Sequence, residues 1–288
     1  MTSGTSTITV QKNSAIADIP PRIFGSFVEH LGRCVYGGIY EPSHPTADEN
    51  GFRQDVINLV KELGVTCVRY PGGNFVSAYN WEDGTGPRGQ RPIRRDLAWH
   101  STETNEVGID DFYRWSKKTG TEIMLAVNMG TRGLKAALEE LEYVNGAPGT
   151  ELADRRVRNG ITEPMDIKMW CIGNEMDGPW QVEHMSPDEY AAAVDRVAHA
   201  MKLAESGLEL VACGSSSAIC QRLDPGNAAC LPKRTTISIS SPAMPTTTNV
   251  GQNRCKIIWQ VHKTCKRSSP LWRHVQTKPK MPTQAIMI

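Results

Sequence analysis

Apolar positions along the first 213 residues follow two alternating patterns. Continuous or near-continuous apolar runs at Ile23 to Val28, Val65 to Tyr70, Glu122 to Asn128, Ile167 to Ile172 and Leu208 to Cys213 predict five buried strands. A shorter β-prone piece, Thr7 to Gln11, precedes them and is broken by Pro20-Pro21. Between the runs the spacing changes to that of a helix. Phe52, Val56, Leu59, Val60 and Leu63 share one face of a helix over 52–63 that Gly64 closes. Helices are likewise predicted from Asp110 to Thr119, ending at Gly120, and from Leu134 to Val144, ending near Asn145-Gly146. Ser186-Pro187-Asp188-Glu189 reads as a capping box with Pro in the first turn. The apolar face that follows is Tyr190, Val194, Val197, Met201 and Ala204, closed by Gly207. Strand alternates with helix, and the connections are long enough for parallel crossovers.

Polar residues gather where the strands end: Glu29, Arg69 with Asn74, Asn128, Asn174 with Glu175, and Ser215. That layout predicts an α/β fold, a (β/α)8 TIM barrel with its site on the carboxyl-end face, incomplete at about five of eight βα units. The sharpest feature is Trp170-Cys171-Ile172-Gly173-Asn174-Glu175, a buried run that stops at a carboxylate. Glu175 reads as a catalytic acid with Asn174 as its hydrogen-bonding neighbour. Trp170 and Trp180 flank it with aromatic faces suited to sugar rings. The bland alternative is a strand-end glutamate that caps a loop. The Gly/Pro-punctuated, aromatic loop from Trp81 to Glu106 reads as an active-site loop. His30, His44, His100 and His184 read as packing or loop histidines rather than metal ligands, and Glu82 and Asp83 as solvated loop charges.

Charge divides the chain sharply. Residues 1–213 carry 21 basic and 30 acidic side chains, a balance of −9, whereas residues 214–288 carry 11 basic and one acidic, a balance of +10. The acidic body and the absence of a Gly-rich phosphate fingerprint argue against nucleic acid as a partner. No apolar run approaches a membrane span. Met1 to Thr9 lacks the charged and apolar regions of a secretory signal. The eight cysteines show no paired metal spacing, and Cys67, Cys171 and Cys213 lie in apolar runs as buried free thiols would. The expectation is a cytoplasmic location.

The stretches FGSFVEHLGRCVYGGIYEP, GFRQDVINLVKELGVTCVRYPGGNFVSAYNWEDGTGP, QRPIRRDLAWHSTETNEVGIDDF, MWCIGNEMDGPWQVEHMS and LVACGSSS resemble the α-L-arabinofuranosidases of glycoside hydrolase family fifty-one. The resemblance covers about residues 20–217. It implies a (β/α)8 barrel followed by a β-sandwich, no metal or organic cofactor, arabinofuranosyl oligosaccharides as substrates, and a homo-oligomer. It also implies release of terminal arabinofuranose with retention, which needs two carboxyl groups. Glu175 matches the general acid/base. Glu29, Asn74 and Asn174 match positions that bind sugar hydroxyls. Arg69 lies where it could orient a carboxylate, and Trp99 where it could wall the sugar pocket.

Beyond Ser217 the resemblance stops. Three parts result: an N-terminal segment 1–19, a partial catalytic domain 20–217, and an irregular tail 218–288 that reads as disordered or frame-shifted. Taking the third base of each codon with the first two of the next permits YDDIDFITCHAYYDE across Arg234 to Asn249 and DYLASA across Lys256 to His262. In that reading Met244-Pro245 and Trp259-Gln260 each force alanine where the family-like strings want it. Residues 210–288 contain no glutamate, so the nucleophile is missing and the chain is expected to be inactive. Three alternatives stay open: an arabinoside-binding remnant without catalysis, a related β-glycan hydrolase with the same Asn-Glu, and an interaction protein with a basic tail.

Overall fold

A computed structural model of the chain describes residues 17–214 and Ser216. The predicted Thr7–Gln11 piece, Ser215 and the tail 218–288 with its four cysteines lie outside those residues. In chain order the main elements are β1 (Ser26–Phe27), α1 (Gln54–Glu62), β2 (Cys67–Tyr70), β3 (Arg94–Arg95), β4 (Thr102–Glu103), α2 (Ile109–Thr119) and β5 (Glu122–Val127). They continue with α3 (Leu134–Asn145), α4 (Glu151–Arg158), β6 (Met169–Ile172), α5 (Pro187–Ala204) and β7 (Glu209–Ala212).

The five long-range strands form one parallel sheet in the order β1-β2-β5-β6-β7. Its register places Leu125 beside Trp170 and Trp170 beside Leu210, so one face is a continuous apolar layer packed under the helices. The opposite face carries the smaller cluster of Val76, Ala126 and Cys171, with Met124 and Val211 against it. The sheet is strongly curled. Arg22, just ahead of β1, donates to Glu122 of β5 at 2.6 Å and to Glu209 of β7 at 2.6 Å. In a flat sheet β1 and β7 would lie four spacings apart, about 19 Å, beyond an arginine's reach.

Two expectations need correction. The first strand was expected over Ile23–Val28, but Pro21–Phe24 is a 3-10 turn with proline in its first turn, and only Ser26–Phe27 pairs with β2. Pro fixes φ and lacks the N–H that a ladder needs, which favours the turn. Trp170 was expected beside the site. It is instead fully buried in the helix-side layer, its indole N–H donating to the Ile167 carbonyl at 2.8 Å. Alternation along β6 sends Trp170 and Ile172 toward the helices and Cys171 to the other face.

Candidate active site

The expected site residues gather at the carboxyl ends of β1, β2 and β6. Glu29 follows β1 by two residues and is 5% exposed. Its Oε1 accepts from the Phe75 N–H at 3.0 Å and the Trp99 indole N–H at 3.1 Å. Gly72, at φ +134°, permits this: a Cβ there would lie 2.4 Å from the Glu29 Cγ. Arg69 projects from β2 with its guanidinium 4.6 Å from the centre of the Phe27 ring. Both of its terminal nitrogens donate to Asn174 Oδ1 at 3.1 Å, so it orients an amide rather than a carboxylate. Asn174 Nδ2 in turn donates to Asn74 Oδ1 at 3.2 Å.

Glu175 directly follows Asn174 in the chain, but its side chain bonds Trp180 rather than Asn174. It is half-buried and adopts φ +46°, a left-handed conformation that costs a non-glycine residue about 1–2 kcal/mol. A turn closed by the Gly178 N–H on the Glu175 carbonyl at 2.7 Å holds it there. Glu175 Oε2 accepts from the Trp180 indole N–H at 3.2 Å. Thus Glu29 and Glu175 each receive one indole N–H, from Trp99 and Trp180 respectively, and both tryptophans are partly open to solvent. Trp99 and Trp180 present 38% and 49% of their surface, enough to offer a ring face to a ligand.

Gln181 was not foreseen. It is 5% exposed, accepts from the Ser77 hydroxyl at 2.6 Å and donates to Asn74 Oδ1, the same oxygen that accepts from Asn174. Its place directly after Trp180 was the only signal in the sequence. Asn128, at the end of β5, is turned to structural use: its Nδ2 donates to the Tyr79 carbonyl and the Thr131 hydroxyl. Glu82 and Asp83 are not solvated loop charges. Both are partly buried, Glu82 in an ion pair with Arg132 and Asp83 in one with Arg94 at 2.8 Å.

Cys67 and Cys171 are buried free thiols and Cys213 is half-buried. Burial pushes Cys67 and Cys171 up to about 11, so both are inert thiols near neutral pH. Among the described residues no group of three or more His, Cys, Asp or Glu could hold a metal ion. No described helix is long and apolar enough to cross a membrane.

The arrangement sets the half-buried Glu175 carboxyl beside a row of hydrogen-bonding side chains at the strand ends. Comparison with known proteins gives this arrangement a family. The family profile described as Alpha-L-arabinofuranosidase 1 domain matches residues 59–237. An intracellular exo-alpha-(1->5)-L-arabinofuranosidase of Bifidobacterium longum is 88% identical over 203 residues, which is 70% of this chain and 36% of that protein. An exo-alpha-(1->6)-L-arabinofuranosidase of the same organism is 59% identical over 74% of this chain and 41% of its own length. The solved structure of a family 51 alpha-L-arabinofuranosidase from Bifidobacterium longum superposes with a TM-score of 0.71 at 85% identity, covering 73% of this chain and 42% of that one. An arabinose complex of the Thermotoga maritima alpha-L-arabinofuranosidase gives a TM-score of 0.66 at 49% identity, covering 68% and 41%. The chain therefore spans well under half the length of these relatives.

Proposed function

We propose, from the premise that this chain belongs to the family of alpha-L-arabinofuranosidase 1 domains, that its strand ends form the sugar-binding and acid/base side of a retaining arabinofuranosidase site. The observation that carries the reading is Glu175, set in a left-handed turn after β6 beside an Asn174 amide fixed at both ends by Arg69 and Asn74. Glu175 would protonate the oxygen that leaves with the aglycone and then take a proton from water. A second carboxyl group would attack the anomeric carbon and be released in that second step. The Trp180 indole can only donate, so the Glu175 oxygen it holds stays an acceptor and the other oxygen carries the transferred proton. Glu29, Asn74 and Asn174 would bind ring hydroxyls, and Trp99 would wall the pocket. Both steps run on carboxyl groups and require no cofactor.

The curled five-strand sheet is, in this reading, part of a (β/α)8 barrel within a catalytic domain at 20–217. The substrates are terminal α-L-arabinofuranosyl groups of oligo- and polysaccharides. Relatives carrying "intracellular" in their names support a cytoplasmic location. The second carboxyl group decides activity. Residues 210–288 hold no glutamate, so these 288 residues taken by themselves bind arabinofuranosides without turnover.

The test is hydrolysis of a chromogenic α-L-arabinofuranoside by this chain beside a version with the shifted frame restored after Ser217. Turnover in the restored version alone supports the reading. Turnover by the chain as it stands, abolished by Glu175→Ala, would place an unrecognised second carboxyl within it and overturn the account of the tail.

A further inference from the structure

Behind Glu29 lies a buried polar cluster that neither the acid/base step nor sugar binding uses. His30 Nδ1 meets Glu103 Oε2 at 2.9 Å, with the two side chains 1% and 6% exposed. His30 Nε2 meets the Tyr70 hydroxyl at 3.2 Å. Glu103 also accepts from the Tyr36 hydroxyl and from the Asn105 N–H at 2.6 Å. With Nδ1 protonated, every one of these groups is satisfied: Nδ1–H donates to Glu103 and Nε2 accepts from Tyr70. Burial pushes the Glu103 carboxyl up, but the hydrogen bonds from His30, Tyr36 and Asn105 outweigh it and leave the group lowered.

The cluster's position gives it a role. Glu103 belongs to β4, which pairs with β3 as a hairpin through Arg94–Glu103 and Arg95–Thr102. The hairpin's turn carries Trp99. That turn is internally rigid, because Asp96 accepts from the Ala98 N–H, the Trp99 N–H and the Ser101 hydroxyl at 2.9, 3.0 and 3.1 Å. It would therefore move as a unit, and its outer face is open: Ile93, Leu97 and Trp99 are all exposed. His30 directly follows Glu29 in the chain and stacks on Phe75, ring centres 4.5 Å apart at 12°. The two donors that hold Glu29 are the Phe75 N–H and the Trp99 indole. His30 touches the element behind each of them, Phe75 by stacking and the Trp99 hairpin through Glu103.

We infer that His30 and Glu103 are positioning residues: their buried bond latches the Trp99 hairpin onto the Glu29 segment and so sets the indole against the carboxylate that faces the sugar. The latch acts on affinity for the arabinofuranosyl ring and not on the proton transfer at Glu175. The affinity half of this rests on the reading of Glu29 as a sugar ligand; the placement of Trp99 does not.

The test uses the full chain labelled with 5-fluorotryptophan, its Trp99 resonance assigned through Trp99→Phe, together with calorimetric titration of methyl α-L-arabinofuranoside. His30→Phe keeps a ring against Phe75 and removes the bond. His30→Asn restores a donor near the Nδ1 position, and Glu103→Gln approaches the pair from the other side should His30→Phe fail to fold. The expected result is a displaced, solvent-like Trp99 resonance and an affinity weakened about tenfold in His30→Phe, the value of one buried hydrogen bond. His30→Asn recovers most of both, and in the frame-restored enzyme the loss falls on KM with kcat nearly unchanged. An unmoved Trp99 resonance in folded His30→Phe or Glu103→Gln overturns the latch. A wild-type chain that binds no arabinofuranoside overturns the sugar-ligand reading instead, while the resonance still decides the latch.

Discussion

Single atoms decide the geometry of this site. Gly72 is the clearest case, because its φ of +134° and the 2.4 Å approach of a built Cβ to Glu29 both exclude a side chain. Gly72→Ala is expected to cost about 1–3 kcal/mol in backbone strain alone and to push Glu29 off the Phe75 N–H. Thermal unfolding and arabinoside titration should both register it, and a variant with parental melting and affinity would contradict the role given to Glu29. Trp180 acts through one hydrogen. Trp180→Phe keeps the ring but removes the donor to Glu175, and turnover in the frame-restored enzyme should fall about tenfold or more, the rate equivalent of a hydrogen bond to a charged group. Unchanged kcat would show that the indole contributes only its face.

At the scale of elements, the sequence was legible wherever apolar period and terminators agreed. Helix α2 ends at Gly120 with φ +77°, and α5 opens on the capping box read from Ser186 and Glu189, with Pro187 in its first turn. Ser186→Ala should therefore cost about 1 kcal/mol, the usual worth of an N-cap serine, measurable as a lower urea midpoint at unchanged slope. Helix α4 was not legible. Its sequence is ELADRRVR, and the residues it buries completely are Ala153 and Arg156. That guanidinium satisfies the carbonyls of Tyr143 and Gly146 at 2.8 Å and also reaches Ile161 at 3.2 Å, closing the end of α3. A search for apolar spacing scores such an arginine as surface. The same limit applies at the site. Strand ends announced Glu29, Asn74, Asn174 and Glu175. The Arg69–Asn174–Asn74–Gln181 chain of hydrogen bonds joins segments a hundred or more residues apart and has no local signature.

At the scale of the molecule, several charged side chains are buried among the described residues, and this couples stability to pH. Asp110, in the first turn of α2, is raised to about 6, chiefly by burial; the Tyr143 hydroxyl, 2.8 Å away, and Arg114 only partly offset this. Glu140 of α3 is also raised, by burial first and then by the nearby Glu82 carboxylate. For a carboxyl raised on folding, the stabilising contribution is complete below its unfolded pKa, about 3.9 for aspartate, and is lost as pH rises through the folded value. Asp110 should thus remove about 2–3 kcal/mol between about pH 4 and pH 7, most of it below pH 6. Glu103, lowered on folding, works in the opposite sense and loses its contribution as the pH falls below the ordinary glutamate range. The molecule should accordingly be most stable in mildly acidic solution. Urea unfolding at about pH 4, 5, 6 and 7 tests the assignment. Asp110→Asn should flatten the fall between about pH 4 and 7, most strongly below pH 6. Equal slopes in parent and variant across the lower range would mean that Asp110 ionises in the folded state as readily as in the unfolded chain, and that the pH response of the fold is set by other groups.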